Sequence, residues 1–415
     1  MRKYWLYIES YTMIFKKKQT FLFYNTISGQ HFKICPQEYL SGIMEKLQDM
    51  DNGYCVEITE TELNLQETTK FVQLLRENFC GDLIDHDLTK MKPFSLYPVL
   101  SVMKNRERLK SNPDLSVGEK IMGYLHALTI QITGICDLKC KSCPENYLQT
   151  ISCSSSGSEL EHECINKILE QVSGCGLGFI NLVGGDIFRY TNWKKLMFLL
   201  QQYPYRYDWY TDYRHLLVNE TKLQEIKSLD SIIKVIIPDG FEQNILQKAL
   251  IMLSDMDFEL IFQITSEEQY SEAESFCENY QIENFTFQPV YSISNPDFFK
   301  DFIFMDEDSI VASPVSKQTI FANMTLNTID FGKLIILSNG DIHANLNFPK
   351  LGNIKTNSIR EMIYSELEQG GSWFRIRNQK PCSECIYQWL CPPLSNYEIA
   401  IGKSNLCHLK VVNHD

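Results

Sequence analysis

The pattern of apolar positions changes character twice along the chain. From about residue 125, short β-type runs alternate with helical ones. Strands are expected at 126–132, 178–183, 207–211, 231–237, 257–265 and 284–290. Helices are expected at 158–173, 191–202, 218–228, 241–254 and 269–280. In the first of these helices Leu160, Cys164, Ile168 and Val172 recur on one face, and Ser158-x-x-Glu161 reads as a capping box. Six strands alternating with helices predict a parallel sheet with right-handed crossovers. There are too few units for an eight-fold barrel, so the expected α/β form over 125–300 is an open, partial (β/α)6 barrel. Sites in such folds gather at the C-terminal strand ends.

Residues 1–90 read differently. Strand-like runs Thr12–Phe15, Thr20–Tyr24 and His31–Ile34 precede helical stretches near Glu38–Leu47 and Glu62–Asn78. Three strands and then helices suit a winged-helix-like module that recognises a peptide by adding it to an edge strand. Pro93, Pro98, Pro113 and charged runs mark 91–124 as a linker. Over 325–415 the pattern changes again. Lys333–His343 reads as a hairpin turning on Asn339-Gly340. A helix near 357–368 and a cysteine-rich tail follow.

The chain has 415 residues, 44% of them hydrophobic, which suits two or three domains. No run approaches the ~20 apolar residues of a membrane span. The basic, apolar start is cut short by Glu9 and Ser10, so no signal peptide is read and the cytoplasm is expected. The net charge of −13 without a lysine–arginine stripe argues against nucleic acid. Fourteen cysteines are too sparse for a disulfide scaffold and suit thiolate ligands. Seven fall into two spaced groups. Cys35, Cys55, Cys80, Cys153, Cys164, Cys175 and Cys277 are scattered and read as small buried hydrophobes.

The first group, Cys136, Cys140 and Cys143, has the spacing C-x3-C-x2-C just past the strand Leu128–Ile132. Three thiolates from one loop can hold a [4Fe–4S] cluster by three irons and leave the fourth open to a ligand. The alternative is a zinc knuckle or three chance core cysteines. Structural zinc takes four ligands, usually in paired form, and the next thiol, Cys153, lies beyond a Ser-rich loop. Strand two ends in Gly184-Gly185-Asp186, where two glycines admit a ligand near the backbone and a carboxylate can accept from an ammonium. Gly-Gly-Asp also makes ordinary turns. The second group, Cys382, Cys385, Cys391 and Cys407, can close a complete site, for zinc or for a [4Fe–4S] cluster.

The first cysteine loop resembles that of the radical S-adenosylmethionine (SAM) enzymes. Gly184-Gly185-Asp186 stands where that superfamily has Gly-Gly-Glu, which binds the SAM amino group; Asp186 has the shorter reach. The resemblance also implies SAM contacts at the ends of strands three and four, Thr211 and Asp239. The C-terminal cysteines resemble the outer cluster set of the SPASM extension. The inner set is missing: Ser395 stands at one of its positions, the hairpin strand has no cysteine near 344 where the family puts one, His343 beside it reads as an ordinary strand residue, and no cysteine occurs between Cys277 and Cys382. One auxiliary [4Fe–4S] cluster is therefore expected. The whole resembles radical SAM/SPASM maturases of ribosomally made peptides, including those of Bacteroidales-type peptide clusters. The implied function is to generate a 5′-deoxyadenosyl radical that modifies a precursor peptide by crosslinking or epimerisation, with an external electron donor. The alternatives are a cluster-bearing peptide-binding partner without that activity, and a SPASM-type activase of a folded enzyme. Asp186, Ser142 where the family often has an aromatic, and the missing inner cysteines favour the former.

Overall fold

The computed structural model describes residues 2–89, 91–93, 121–138, 140, 143–153, 156–369 and 371–409. Most of the expected linker, 94–120, and Ser142 lie outside them. The N-terminal part runs β1 (Lys3–Ile8), β2 (Thr12–Lys17), β3 (Thr20–Asn25), β4 (His31–Ile34), α1 (Glu38–Gln48), β5 (Cys55–Thr59), α2 (Glu60–Leu63), α3 (Gln66–Glu77) and β6 (Gly81–Asp85). Its strands form two antiparallel sheets, ordered β5-β1-β6 and β2-β3-β4. The sequence pattern gives β2, β3 and β4 but misses β1, where Tyr4, Trp5 and Tyr7 blur the alternation carried by buried Leu6 and Ile8.

Strand β3 is apolar on both sides because both sides are covered. Phe21 and Phe23 pack toward Leu40, Ile43 and Phe71 of α1 and α3. Leu22 and Tyr24, on the opposite face by the two-residue strand period, pack with Met13 and Phe15 against Ile310, Ile320, Tyr387 and Leu390 near the C-terminus. Polar contacts reinforce this contact. The Val315 N–H donates to the Tyr24 hydroxyl (2.7 Å), Lys17 donates to the Ser383 carbonyl (2.7 Å), and Lys33 pairs with Glu307 (2.9 Å).

From residue 127 the elements alternate: β7 (Ala127–Thr133), α4 (Cys143–Gln149), α5 (His162–Val172), β8 (Phe179–Gly184), α6 (Trp193–Leu200), β9 (Arg206–Asp212), α7 (Tyr213–Leu216), α8 (Glu220–Ile226), β10 (Ser231–Ile237), α9 (Gln243–Met252), β11 (Phe258–Ile264), α10 (Glu267–Asn279) and β12 (Phe285–Pro289). All six expected strands are present, each within a residue of the expected bounds. They are parallel and lie side by side in chain order. The capping box at Ser158 does not form. Helix α5 starts at His162, Glu161 pairs with Lys355 (2.7 Å), and the Ser158 hydroxyl bonds that of Ser338 (2.7 Å).

The two faces of this sheet differ. Leu128, Ile130, Ile180, Leu182, Val235 and Phe262 join the core beneath the helices. The alternate residues face the other way and are mixed: Val183, Ile236 and Ile261 are apolar, while others form a polar network. Asn181 donates to Thr129 (3.1 Å), Asn146 of α4 donates to Gln263 (3.1 Å), and Gln263 donates to Ser152 (2.9 Å). Toward the strand N-termini the face is occupied by ion pairs, Arg206 with Asp208 (3.0 Å) and Lys234 with Glu259. At the other end lies the cysteine loop.

The remaining elements are α11 (Pro296–Phe302), α12 (Glu307–Val311), α13 (Lys317–Asn323), β13 (Lys333–Ile336), β14 (Asp341–His343), β15 (Gly352–Asn353), α14 (Ile359–Gln369) and α15 (Asn396–Ile401). The expected hairpin is β13–β14, with Gly340 in the left-handed region at φ +88°. It does not stand apart. Strand β13 pairs in parallel with β7, so the sheet runs β12-β11-β10-β9-β8-β7-β13-β14-β15. The fold is thus mixed α/β around one large, mostly parallel sheet. Among the described residues no helix is long and apolar enough to cross a membrane.

Candidate functional site

The C-terminal ends of β7, β8 and β9 bring the first group of candidate residues together. After β7 the chain passes Gly134 and Ile135 to Cys136. The end of β8 is laid directly along this stretch: the Gly185 N–H donates to the Thr133 carbonyl (3.0 Å) and the Asp186 N–H to that of Ile135 (2.7 Å). Both glycines are required by this approach. A Cβ on Gly184 would lie 2.5 Å from the Thr133 oxygen. One on Gly185 would lie 2.5 Å from the Ile135 oxygen and 2.8 Å from Cys136 Cβ. Gly-Gly-Asp is therefore not a free turn here but the wall of the cysteine loop.

The end of β9 forms the second wall. Asp212 is buried and receives both arms of Arg214, at 2.8 and 2.6 Å. The Nη2 that bonds Asp212 also donates to Cys140 Sγ at 3.4 Å. His215, buried, brings Nε2 to 3.7 Å from Cys136 Sγ. Cys143 opens α4 and donates its thiol to the Cys153 carbonyl at 3.0 Å. Burial pushes the Cys136 thiol up, and Cys140, Asp186 and Asp212 add to it. Burial likewise holds His215 below its ordinary value, against the pull of Asp186 and Asp212.

The surroundings fit a polar ligand beside these thiols. His215 Nδ1, the Tyr147 hydroxyl, Asn181 Oδ1 and Gln288 Oε1 are buried polar atoms with no hydrogen-bond partner among the described residues. Asp186 is partly committed, since its Oδ1 accepts from the Phe188 N–H (3.1 Å). Thr211 is fully buried at the end of β9, its hydroxyl near the Asp212 carbonyl (3.5 Å). Asp239 is exposed past β10, where it accepts from Thr265 (3.3 Å) and Gln269. Sequence reasoning missed Arg214 and His215 as site residues. Their signal was position, directly after the strand end that Thr211-Asp212 marks.

The second group lies near the C-terminus. Cys382, Cys385, Cys391 and Cys407 line one cavity with Met305, Arg377, Gln388 and Asn405. Four soft thiols around one space suit zinc or an iron–sulfur cluster as a donor set. Burial pushes Cys391 up to about 12 and raises Cys382 and Cys385, while Arg377 pulls Cys391 and Cys382 the other way. Asn405 donates to Cys407 Sγ at 3.1 Å. At the positions where the resemblance puts further cysteines the structure has other work. Ser395 caps α15 in a reciprocal box with Glu398. Ala344 is packed in the core, and Asn345 donates to Asp330 (3.1 Å) and Asn396 (2.7 Å). His343 Nδ1 lies 3.2 Å from the Phe348 carbonyl. Among the described residues no three His, Cys, Asp or Glu side chains stand close enough to hold a metal ion.

No family model matches the chain, and no curated protein does. Among solved structures the chain is similar to SuiB from Streptococcus suis, determined bound to S-adenosylmethionine. The likeness covers 99% of each chain, at 13% identity and a TM-score of 0.42. At that distance it carries no function across to this chain.

Proposed function

We propose that this chain is a radical SAM enzyme that modifies a ribosomally made precursor peptide. The observation that carries the reading is the meeting of three strand ends: the Cys136–Cys140–Cys143 loop, Gly184-Gly185-Asp186 laid against it, and Asp212, Arg214 and His215 facing its thiols. Cys136, Cys140 and Cys143 would hold three irons of a [4Fe–4S] cluster and leave the fourth to SAM. Bound there, cluster and SAM would supply the one-electron chemistry that yields a 5′-deoxyadenosyl radical. The chain's own part is to bind and orient. Gly185 keeps the β8 end close enough to share the loop. Asp186 presents a carboxylate beside it. Arg214, fixed by Asp212, donates to the Cys140 sulfur and offsets its charge. The polar face of the sheet continues the site inward through Asn181, Gln263 and Gln288. The C-terminal thiols would hold one auxiliary cluster, with the electron coming from an external donor. The N-terminal part would take the precursor.

The test is anaerobic reconstitution followed by reduction with SAM. About eight irons per chain are expected, for two clusters. 5′-Deoxyadenosine should form, and Cys140→Ala should abolish it while keeping the auxiliary cluster. Wild-type yield from Cys140→Ala overturns the assignment. Iron near four with bound zinc overturns the auxiliary cluster. A second reading, a cluster-bearing peptide-binding partner, is favoured by the Asp186 oxygen already engaged with Phe188. It predicts both clusters and no 5′-deoxyadenosine.

A further inference from the structure

Among the described residues, the cavity of the four C-terminal thiols is lined by one charged side chain, and that side chain is held by several partners. Arg377 is 7% exposed. Its Nη1 points at Cys382 Sγ (3.8 Å). Its Nε donates to the Pro392 carbonyl (2.6 Å), and its Nη2 to the Pro393 carbonyl (3.4 Å) and to Glu398 Oε1 (2.9 Å). Glu398 is itself held, since its other oxygen accepts from the Ser395 N–H (2.8 Å) and hydroxyl (2.6 Å). The Arg377 carbonyl receives Gln388 Nε2 (2.6 Å), so the backbone is tied as well. A surface arginine needs no such cradle. A guanidinium taken out of water beside sulfur atoms does, because an unpaired buried charge is costly.

Building on the iron–sulfur reading of this cavity, we infer that Arg377 is a positioning residue that sets the reduction potential of the auxiliary cluster, and that Glu398 sets how much of its charge the cluster feels. Four thiolates on a [4Fe–4S]2+ core carry a net charge of 2−. One electron from an external low-potential donor takes the core to [4Fe–4S]+ and the whole to 3−. A cation fixed near one sulfur favours the more negative state, and hydrogen bonds to the sulfurs act in the same direction. Glu398 lies behind the guanidinium and subtracts from its effect. The two residues therefore have opposite signs. Removing the arginine charge lowers the potential, and removing the glutamate charge raises it.

The experiment uses the full chain with Cys136, Cys140 and Cys143 replaced by Ala, so that only the auxiliary site reports. Each variant is reconstituted, its iron and sulfide are counted, and its cluster is titrated with a mediated chemical reductant while paramagnetic resonance reads the reduced form. Arg377→Met should keep about four irons. Its midpoint should fall by at least a tenfold change in the reduced-to-oxidised ratio, about 59 mV for one electron. Arg377→Lys should restore part of that shift. Glu398→Gln preserves the reciprocal cap, which glutamine also makes, and its midpoint should rise. An unchanged midpoint in loaded Arg377→Met overturns the proposal. If Arg377→Met fails to load, Glu398→Gln decides: a rise supports the proposal, and no rise or a fall overturns it. If the parent protein takes up zinc and no iron–sulfur cluster, the reading of the cavity fails first and this proposal with it.

Discussion

Leu22→Ala tests how the N-terminal sheets are joined to the C-terminal thiol site. Leu22 is fully buried on the face of β3 that meets Tyr387, Leu390 and Cys391, and it stands opposite Phe15 of β2. Truncating a buried leucine costs about 2–5 kcal/mol, the transfer term plus the cavity left behind. If that loss falls on this contact, local opening there becomes roughly thirty-fold to several-thousand-fold more frequent, at about 1.4 kcal/mol per decade. Native-state hydrogen exchange read by mass spectrometry over 382–391 measures it. Phe23→Ala is the control. Phe23 is the next residue on the same strand but faces Phe32 and Phe71 inside the N-terminal core. Leu22→Ala should raise exchange over 382–391 ahead of that over 66–77. Phe23→Ala should raise 66–77 at least as much. Wild-type exchange over 382–391 in a Leu22→Ala protein that melts lower would refute the reasoning, as would identical patterns from the two variants.

Gly185→Ala should cost about 1–3 kcal/mol by overpacking against Ile135 and Cys136, and iron in the reconstituted protein should drop from about eight toward about four per chain; full iron content would show that the loop yields. Deleting residues 1–90 uncovers Tyr387, Leu390 and Cys391, so it should lower auxiliary iron as well as any binding of a precursor; auxiliary iron at wild-type level would contradict this. The Tyr387 hydroxyl and Lys33 hold Glu307 below the ordinary carboxylate value. Such an acid adds stability above its unfolded value that is lost as the pH falls through its folded one. The melting difference between wild type and Glu307→Gln should therefore be present at pH 7 and shrink as the pH falls below the ordinary glutamate value of about 4.3; a difference unchanged into acid would exclude the linkage.

The parallel strands were legible because apolar residues recur at every second position along them, as at Leu128, Ile130 and Ile132. The two cysteine groups were legible as groups because most of their members are close in sequence. What was not legible is long-range. Nothing in Lys333–Ile336 says that it will pair with Ala127–Ile130, about two hundred residues earlier. Nothing in Leu22 or Tyr24 says which of two cores it enters, because alternation gives a face but not its partner. The Ser158 capping box failed for the same reason: a better-placed partner, Ser338, came from elsewhere in the chain. Arg377 was invisible too, since an arginine five positions before a cysteine, with Arg375 beside it, has no pattern of its own.

Those long-range contacts also fix where the two thiol sites stand relative to each other. Cys143 opens α4, and the other end of that short helix meets α15: the Gln149 carbonyl accepts from Asn396 (3.5 Å), while Leu148 accepts from Asn347 (2.8 Å). Asn396 follows Ser395, the cap that Glu398 closes, and Glu398 holds Arg377 against Cys382. Tyr397 on the same helix donates to the Pro289 carbonyl at the end of β12 (2.6 Å). One six-residue helix thus touches the helix that begins at Cys143, the edge strand of the sheet, and the Arg377–Glu398 pair. A helix this short has little stability of its own. It holds its place through its own Ser395–Glu398 cap and through side chains bonded to its neighbours, so α4, the edge strand and the Glu398–Arg377 pair are joined through one short element.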